Sequence, residues 1–282
     1  MAGKFARSWA LVQASAAVLK SDKELLVFPL VSSVATLLVA ATFMVPIFAT
    51  GMYKSMGHGQ PVEPVLYVWS FLFYFVQYIV IFFFNTALVG AAMIRLDGGD
   101  PTVADGLRIA RSKMLPIIGY AAIAATVGMI LRAMEERAGF IGRIVVGMIG
   151  VAWTLATFMV VPILVERDVG PIDAVKESAL LLKNTWGENL IGNGGIGVVF
   201  GLITFAVILV GGGLTGVSAA NNMLPVAITL GAVTVLAVLG LSLVQSALAG
   251  IYSAALYRYA TDGQAPAGFD GAVLQEAFRL KG

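Results

Sequence analysis

Long apolar runs alternate with short polar segments along the whole chain. Six of the runs reach the roughly 20 residues that a helix needs to cross a bilayer. They predict spanning helices over 25–50, 65–94, 115–131, 140–165, 190–213 and 223–257. The runs are continuous, without the in/out alternation of membrane-barrel strands. Between them a 3.6-residue period takes over. Phe5, Trp9, Val12, Ala16 and Leu19 share one helical face, as do Val103, Leu107, Ala110 and Met114. So do Ile172, Val175, Ala179, Leu182 and Trp186, and again Phe269, Val273, Ala277 and Leu280. Charges and amides occupy the opposite faces. The pattern predicts four amphipathic helices lying at the membrane surface or packed on the protein's own end.

The polar segments also repeat. A shift of 72 positions puts Arg95 on Arg167, Gly98 on Gly170, and the second amphipathic series on the third. The first series is a further copy. The implied unit is one amphipathic helix followed by two spans. Because a unit holds two spans, successive units enter the membrane in the same direction, which predicts three parallel repeats about an axis along the membrane normal. The expected fold is therefore all-α: a single polytopic membrane domain over 1–282, with repeat units 1–97, 98–169 and 170–257 and a C-terminal amphipathic helix at 266–281. Asp97-Gly98-Gly99-Asp100-Pro101, Val169-Gly170-Pro171 and Asp262-Gly263-Gln264-Ala265-Pro266 supply the turns, each ending a helix at Gly and starting another near Pro.

Composition and charge sharpen this picture. Only 12% of the 282 residues are charged and mean hydropathy is +0.91. A soluble domain carries about 25% charged residues. The net charge of +2 and the scattered basic residues exclude a nucleic-acid stripe. With no cysteine, disulfides and thiolate metal sites are excluded. Fourteen Lys and Arg fall in the segments on the side of the N-terminus and four on the other, three of these within 132–143. The positive-inside rule then places both termini in the cytoplasm. The first apolar run begins near Leu25 and exceeds 20 residues, so it reads as an uncleaved anchor.

The opening, with Ser8-Trp9, Leu11, Ala14-Ser15, Leu19, Asp22-Lys23-Glu24-Leu25-Leu26, Phe28-Pro29 and Ser32, resembles a prokaryotic family of six-helix integral membrane proteins known as a domain of unknown function. The resemblance rests on about the first 35 residues. It implies a multi-pass protein of the bacterial cytoplasmic (inner) membrane and brings no activity, cofactor or site residue. More loosely, the unit of amphipathic helix plus two spans looks like membrane domains found beside some lipid-metabolising enzymes.

The apparent motifs mostly dissolve in context. Gly192-Asn193-Gly194-Gly195-Ile196-Gly197 contains G-x-G-x-x-G but opens an apolar run, and 189–261 holds no Asp or Glu to bind a ribose. Gly197 and Gly201 instead read as a close helix-packing pair. Gly211-Gly212-Gly213 reads as the outer end of the fifth span or a break in it. His58, the single histidine, lies in a glycine-flanked loop with Glu63 as the one nearby ligand type, which makes no metal site. Trp9, Trp69 and Trp186 read as interfacial anchors and Trp153 as helix packing.

No Asp, Glu, Lys or Arg lies deep in a predicted span, unlike the pathways of ion-coupled transporters. The intramembrane polar residues are Gln77, Asn85 and Thr86, Thr154 and Thr157, and Gln245 and Ser246. Asn85 and Thr157 each lie ten residues before Arg95 and Arg167, while Thr154 and Gln245 each lie thirteen before Arg167 and Arg258. At 1.5 Å per residue these groups would meet about 15–20 Å from the arginine level. The alternative is simple interhelical hydrogen bonding. On the cytoplasmic side, Asp22 is expected to cap the first span. Asp22 or Glu24, beside Lys23, is expected to pair with Arg95, Arg167 or Arg258 and so tie the units together.

No catalytic constellation is visible, so an enzyme is not expected. The expected function is lipid interaction: handling, sensing or organising membrane lipid. A passive channel or transporter for a small solute is the alternative, and a scaffold for a membrane complex a third. The expected partners are membrane lipids, with small-residue faces that also admit a homo-oligomer or a membrane protein partner.

Overall fold

The computed structural model describes residues 4–51, 64–186, 196–266 and 268–269. Among the described residues the chain is helical throughout, with no strand. In order come α1 (Lys4–Ser21), a 3-10 turn (Lys23–Leu26), α2 (Val27–Thr50), α3 (Pro64–Leu96), α4 (Val103–Ser112), α5 (Met114–Arg137), α6 (Phe140–Ala156), α7 (Val160–Glu166), α8 (Pro171–Trp186), α9 (Ile196–Ala220) and α10 (Leu224–Asp262).

Among the described residues six stretches are long and apolar enough to cross a membrane: Lys23–Thr50, Val65–Leu96, Met114–Arg137, Phe140–Glu166, Ile196–Ala220 and Leu224–Asp262. They coincide with the six predicted runs. The differences are physical. The third span continues through Arg137 rather than ending at 131, so the expected outer loop at 132–143 shrinks to Ala138 and Gly139 between two helices. Gly211-Gly212-Gly213 neither ends nor breaks its span, because α9 runs on to Ala220. At 39 residues, α10 would be about 58 Å long, well beyond a hydrocarbon core of about 30 Å. Gly98 and Gly263 take left-handed conformations (φ 86° and 68°) and end α3 and α10. The expected C-terminal amphipathic helix at 266–281, His58 and the glycine run 192–195 lie outside the described residues, apart from Pro266, Gly268 and Phe269.

The chain divides into two compact units. One comprises Met1–Leu26, Ala92–Asp100 and Thr185–Gly282; the other comprises Val27–Ala91 and Pro101–Asn184. In the first, α9 and α10 form a long antiparallel hairpin, and α1 lies along α10. The α1 face carrying Val12, Ser15, Val18 and Leu19 is buried, as are Ala247, Leu248, Ile251, Ala254 and Ala255 of α10. The close approaches in the hairpin are Gly211 to Thr234 and Gly231 to Thr215. Among the described residues nothing comes within 4 Å of a Cβ added at Gly197 or Gly201, so the predicted packing role of this pair is not used by them. Leu202, Phe205, Leu209 and Leu236 are bare, at 57–67% exposure.

In the second unit the amphipathic helices fold back on the spans that precede them. Gly106 of α4 sits against Ala87 of α3, where a Cβ would fall 2.6 Å from the Ala87 carbonyl oxygen and 2.5 Å from the Phe28 ring. Ser178 of α8 meets Met159, whose N–H donates to the Ser178 hydroxyl at 3.0 Å. Each partner of the second contact is 72 positions after its counterpart in the first. Ala110, Ala174 and Ser178 are fully buried, so the apolar faces of α4 and α8 are at least partly used on the protein itself.

Candidate functional site

Pro162 shapes the fourth span. It has no N–H to give the Phe158 carbonyl, and its ring crowds that oxygen. The helix breaks just before it, leaving α6 and α7 separated by Thr157, Phe158 and Met159. In a continuous helix the Met159 N–H would bond Leu155; here Phe158 N–H takes Leu155 at 3.1 Å and Met159 turns to Ser178. A break at this depth is tolerated only when its backbone groups find partners inside the protein. Met159, Val160 and Ile163 are wholly buried. Since α7 spans about 10 Å, the break lies some 10 Å inside the arginine-bearing end.

The break carries one of the predicted polar residues. Thr157 donates to the Trp153 carbonyl at 2.8 Å, and its hydroxyl lies close to that of Tyr120 of α5. Tyr120 in turn stacks on Phe82 of α3 at 4.4 Å. Thr154 bonds its own helix, to the Gly150 carbonyl, and points to an exposed face. Gln77 donates to the Thr36 carbonyl of α2 at 3.2 Å, an interhelical bond worth about 0.6 kcal/mol. The Gln77 carbonyl oxygen and the Thr86 hydroxyl are buried without partners among the described residues. Asn85 is half-buried beside Thr86. Gln245, also half-buried, belongs to the first unit, whereas the others belong to the second.

At the charged level stand several ion pairs. Arg95 pairs with Asp100 at 3.2 Å and also donates to the Gly99 carbonyl. Arg258 pairs with Asp97 at 2.6 Å, across 161 positions of sequence. Arg167 pairs with Glu177 of α8. Lys113 donates to the Arg167 carbonyl at 2.9 Å and lies 3.8 Å from Asp168. Asp97 and Lys113 therefore carry long-range ties, and Arg95 lies near enough to Asp22 for its charge to act there. Lys23 is exposed. Asp22 does cap, its Oδ1 accepting the Glu24 N–H at 3.2 Å.

Asp22 is only 6% exposed, and its second oxygen has no hydrogen-bond partner among the described residues. Burial pushes its carboxyl above the ordinary 3.8, an effect that the Glu24 N–H and the Arg95 charge oppose and the nearby Glu24 and Asp100 reinforce. Below that ordinary value the group is protonated both folded and unfolded, and nothing is lost. As pH rises through the raised folded value, a charge must be held in a buried place and stability falls. Asp22→Asn keeps the cap and removes the charge. It is expected to melt higher than the wild type at about pH 7, with the gap closing toward about pH 4. An equal gap at both pH values would show that the charge is not the cause.

A profile of a family of unknown function, DUF6159, matches residues 64–269, well over half of the chain. The chain belongs to the DUF6159 family. The matched region runs from α3 to the end of α10, downstream of the first 35 residues on which the resemblance rested. It contains the broken span, Ser178, Asp97 and all three arginines, whereas α1 and Asp22 precede it. No curated protein and no solved structure matches the chain. Within the DUF6159 region, sequence reasoning passed over Ser178, Asp97, Lys113 and Thr102. Thr102 could have been found: Thr-x-x-Asp ahead of an apolar series is a capping-box signal, and Thr102 and Asp105 cap each other reciprocally at the start of α4. These hydrogen bonds hold the Asp105 carboxyl below its ordinary range.

Proposed function

We propose that this DUF6159 protein is a multi-pass membrane protein that works on or through lipids. The observation that carries the reading is the bare apolar surface of its helices. Leu37 and Leu38 on α2, Phe140, Ile141 and Met148 on α6, and Phe205, Leu209 and Leu236 on α9 and α10 are all more than 60% exposed. A soluble protein rarely leaves so many large apolar side chains bare, and acyl chains are their natural cover. The spans carry charges only near their ends. Ion-coupled transport has no obvious carrier there.

The same reading extends to organisation. The paired contacts Ala87–Gly106 and Met159–Ser178 support repeats 72 positions apart, and α1 lying along α10 supports a third like unit. With both termini in the cytoplasm, the amphipathic helices would lie at the inner leaflet, their basic residues facing anionic headgroups.

Protein extracted in a mild detergent is expected to carry several phospholipids per chain through repeated washing, measured as bound phosphorus. Lipid-free protein that stays folded would overturn the proposal. Passive conduction is the second reading, favoured by the unpartnered Thr86 hydroxyl and the break at Thr157. If it holds, liposomes should leak a small neutral solute such as glycerol, and Thr86→Val with Thr157→Val should abolish the leak while leaving expression unchanged.

A further inference from the structure

At the end of the second unit away from the arginine level, α5 and α6 border an open cavity of about 550 Å³, lined by Gly128, Leu131, Arg132, Glu135, Glu136 and Arg143. The size suits a small ligand or a headgroup. Its charges are not equivalent. Arg132 is committed, paired with Glu136 at 3.1 Å and bonded to the Tyr74 hydroxyl. The side chains of Glu135 and Arg143 make no hydrogen bond or ion pair among the described residues. The cavity therefore offers one unspent guanidinium and one unspent carboxylate, plus an apolar wall at Leu131. Such a wall and opposed charges match a zwitterion. A simple anion would meet the carboxylates, and a simple cation the guanidinium.

We propose that this cavity binds the phosphoethanolamine headgroup of a phospholipid, with Arg143 on the phosphate and Glu135 on the ammonium. The proposal rests on the lipid reading above and names the lipid. A guanidinium holds a phosphate with two parallel hydrogen bonds. A primary ammonium donates to a carboxylate, which a quaternary one cannot do. Ile130 on α5 and Ile144 and Met148 on α6, neighbours in sequence of the lining residues, are bare apolar side chains that acyl chains can cover.

The test is native mass spectrometry of the full chain, delipidated and then supplied with phosphatidylethanolamine, phosphatidylcholine or phosphatidylglycerol of identical acyl chains. The wild type is expected to retain phosphatidylethanolamine best. Arg143→Gln should lower retention of all three about tenfold, the loss of a charge-assisted bond. Glu135→Gln should lower only phosphatidylethanolamine, bringing it level with phosphatidylglycerol. Arg137→Gln, whose side chain does not line the cavity, should change nothing. Equal retention of the three lipids by the wild type, or retention indifferent to both cavity substitutions, would overturn the assignment while leaving a general lipid role standing. Soluble O-phosphoethanolamine that stabilises the protein as well as the lipid does would reject a lipid as the source. A wild type that retains no lipid at all would bring down the broader reading and this one together.

Discussion

Gly106→Leu is expected to abolish the folded protein, and Gly106→Ala to lower its stability by about 1–3 kcal/mol. The reason is the approach of α4 to α3. A Cβ at Gly106 meets two obstacles, the Phe28 ring at 2.5 Å and the Ala87 carbonyl oxygen at 2.6 Å. The ring can swing aside. The oxygen belongs to the backbone of a spanning helix and cannot move without moving the helix. Any side chain therefore pushes α4 off the span, unseating the buried Ala110 and, next to it, Ile109, which closes over Gly90. Gly197→Ala and Gly201→Ala provide the contrast, since among the described residues nothing lies within 4 Å of a Cβ at either position. There the change should be neutral or gain up to about 1 kcal/mol of helix propensity. Size-exclusion profiles of detergent extracts after graded heating read both effects. A Gly106→Leu variant as monodisperse and heat-resistant as the wild type would refute the packing argument. A Gly201→Ala variant that collapses would show that the α9 face is occupied, by a second chain or otherwise.

These two glycine sites mark where the chain is legible and where it is not. The six spans could be read because a span needs only an uninterrupted run of apolar residues, which is a local property of the sequence. The amphipathic periods were legible for the same reason. Whether a glycine meets a neighbour depends on which helix lies opposite, and spacing alone does not record that. Hence Gly197 and Gly201 looked like a packing pair and meet no neighbour among the described residues, while Gly106, in a short polar segment, is a tight junction of its helix. The arginines Arg95, Arg167 and Arg258 were found from their repeat spacing, but Asp100, Glu177 and Asp97, which pair with them, were not. Asp97 and Arg258 are 161 positions apart, and no local rule links them. Thr157 was noticed as a polar residue in a span, yet the break around it went unseen. Pro162 stands near the end of an apolar run, where proline is usually harmless, and the partner that makes the break tolerable lies in the next amphipathic helix.

Ser178 is that partner, and its removal is expected to have the second large effect. In Ser178→Ala the Met159 N–H loses its acceptor in a place that water does not reach, since both residues have no exposed surface. A buried donor left unsatisfied costs about 1–3 kcal/mol. The chain has one escape: Met159 could return to the Leu155 carbonyl and close the helix. That would rotate α7 relative to α6 and pull Thr157 from Tyr120, and Pro162 would still crowd the Phe158 carbonyl. Ser178→Ala should therefore unfold at lower temperature than the wild type, and the Met159 amide should exchange its hydrogen far faster. Ser178→Thr keeps the hydroxyl and should restore slow exchange, even if its extra methyl costs some stability. Slow exchange at Met159 in the alanine variant would mean that the amide has another acceptor. The break would then be fixed by Pro162 alone, and α8 would be packed beside it without holding it open.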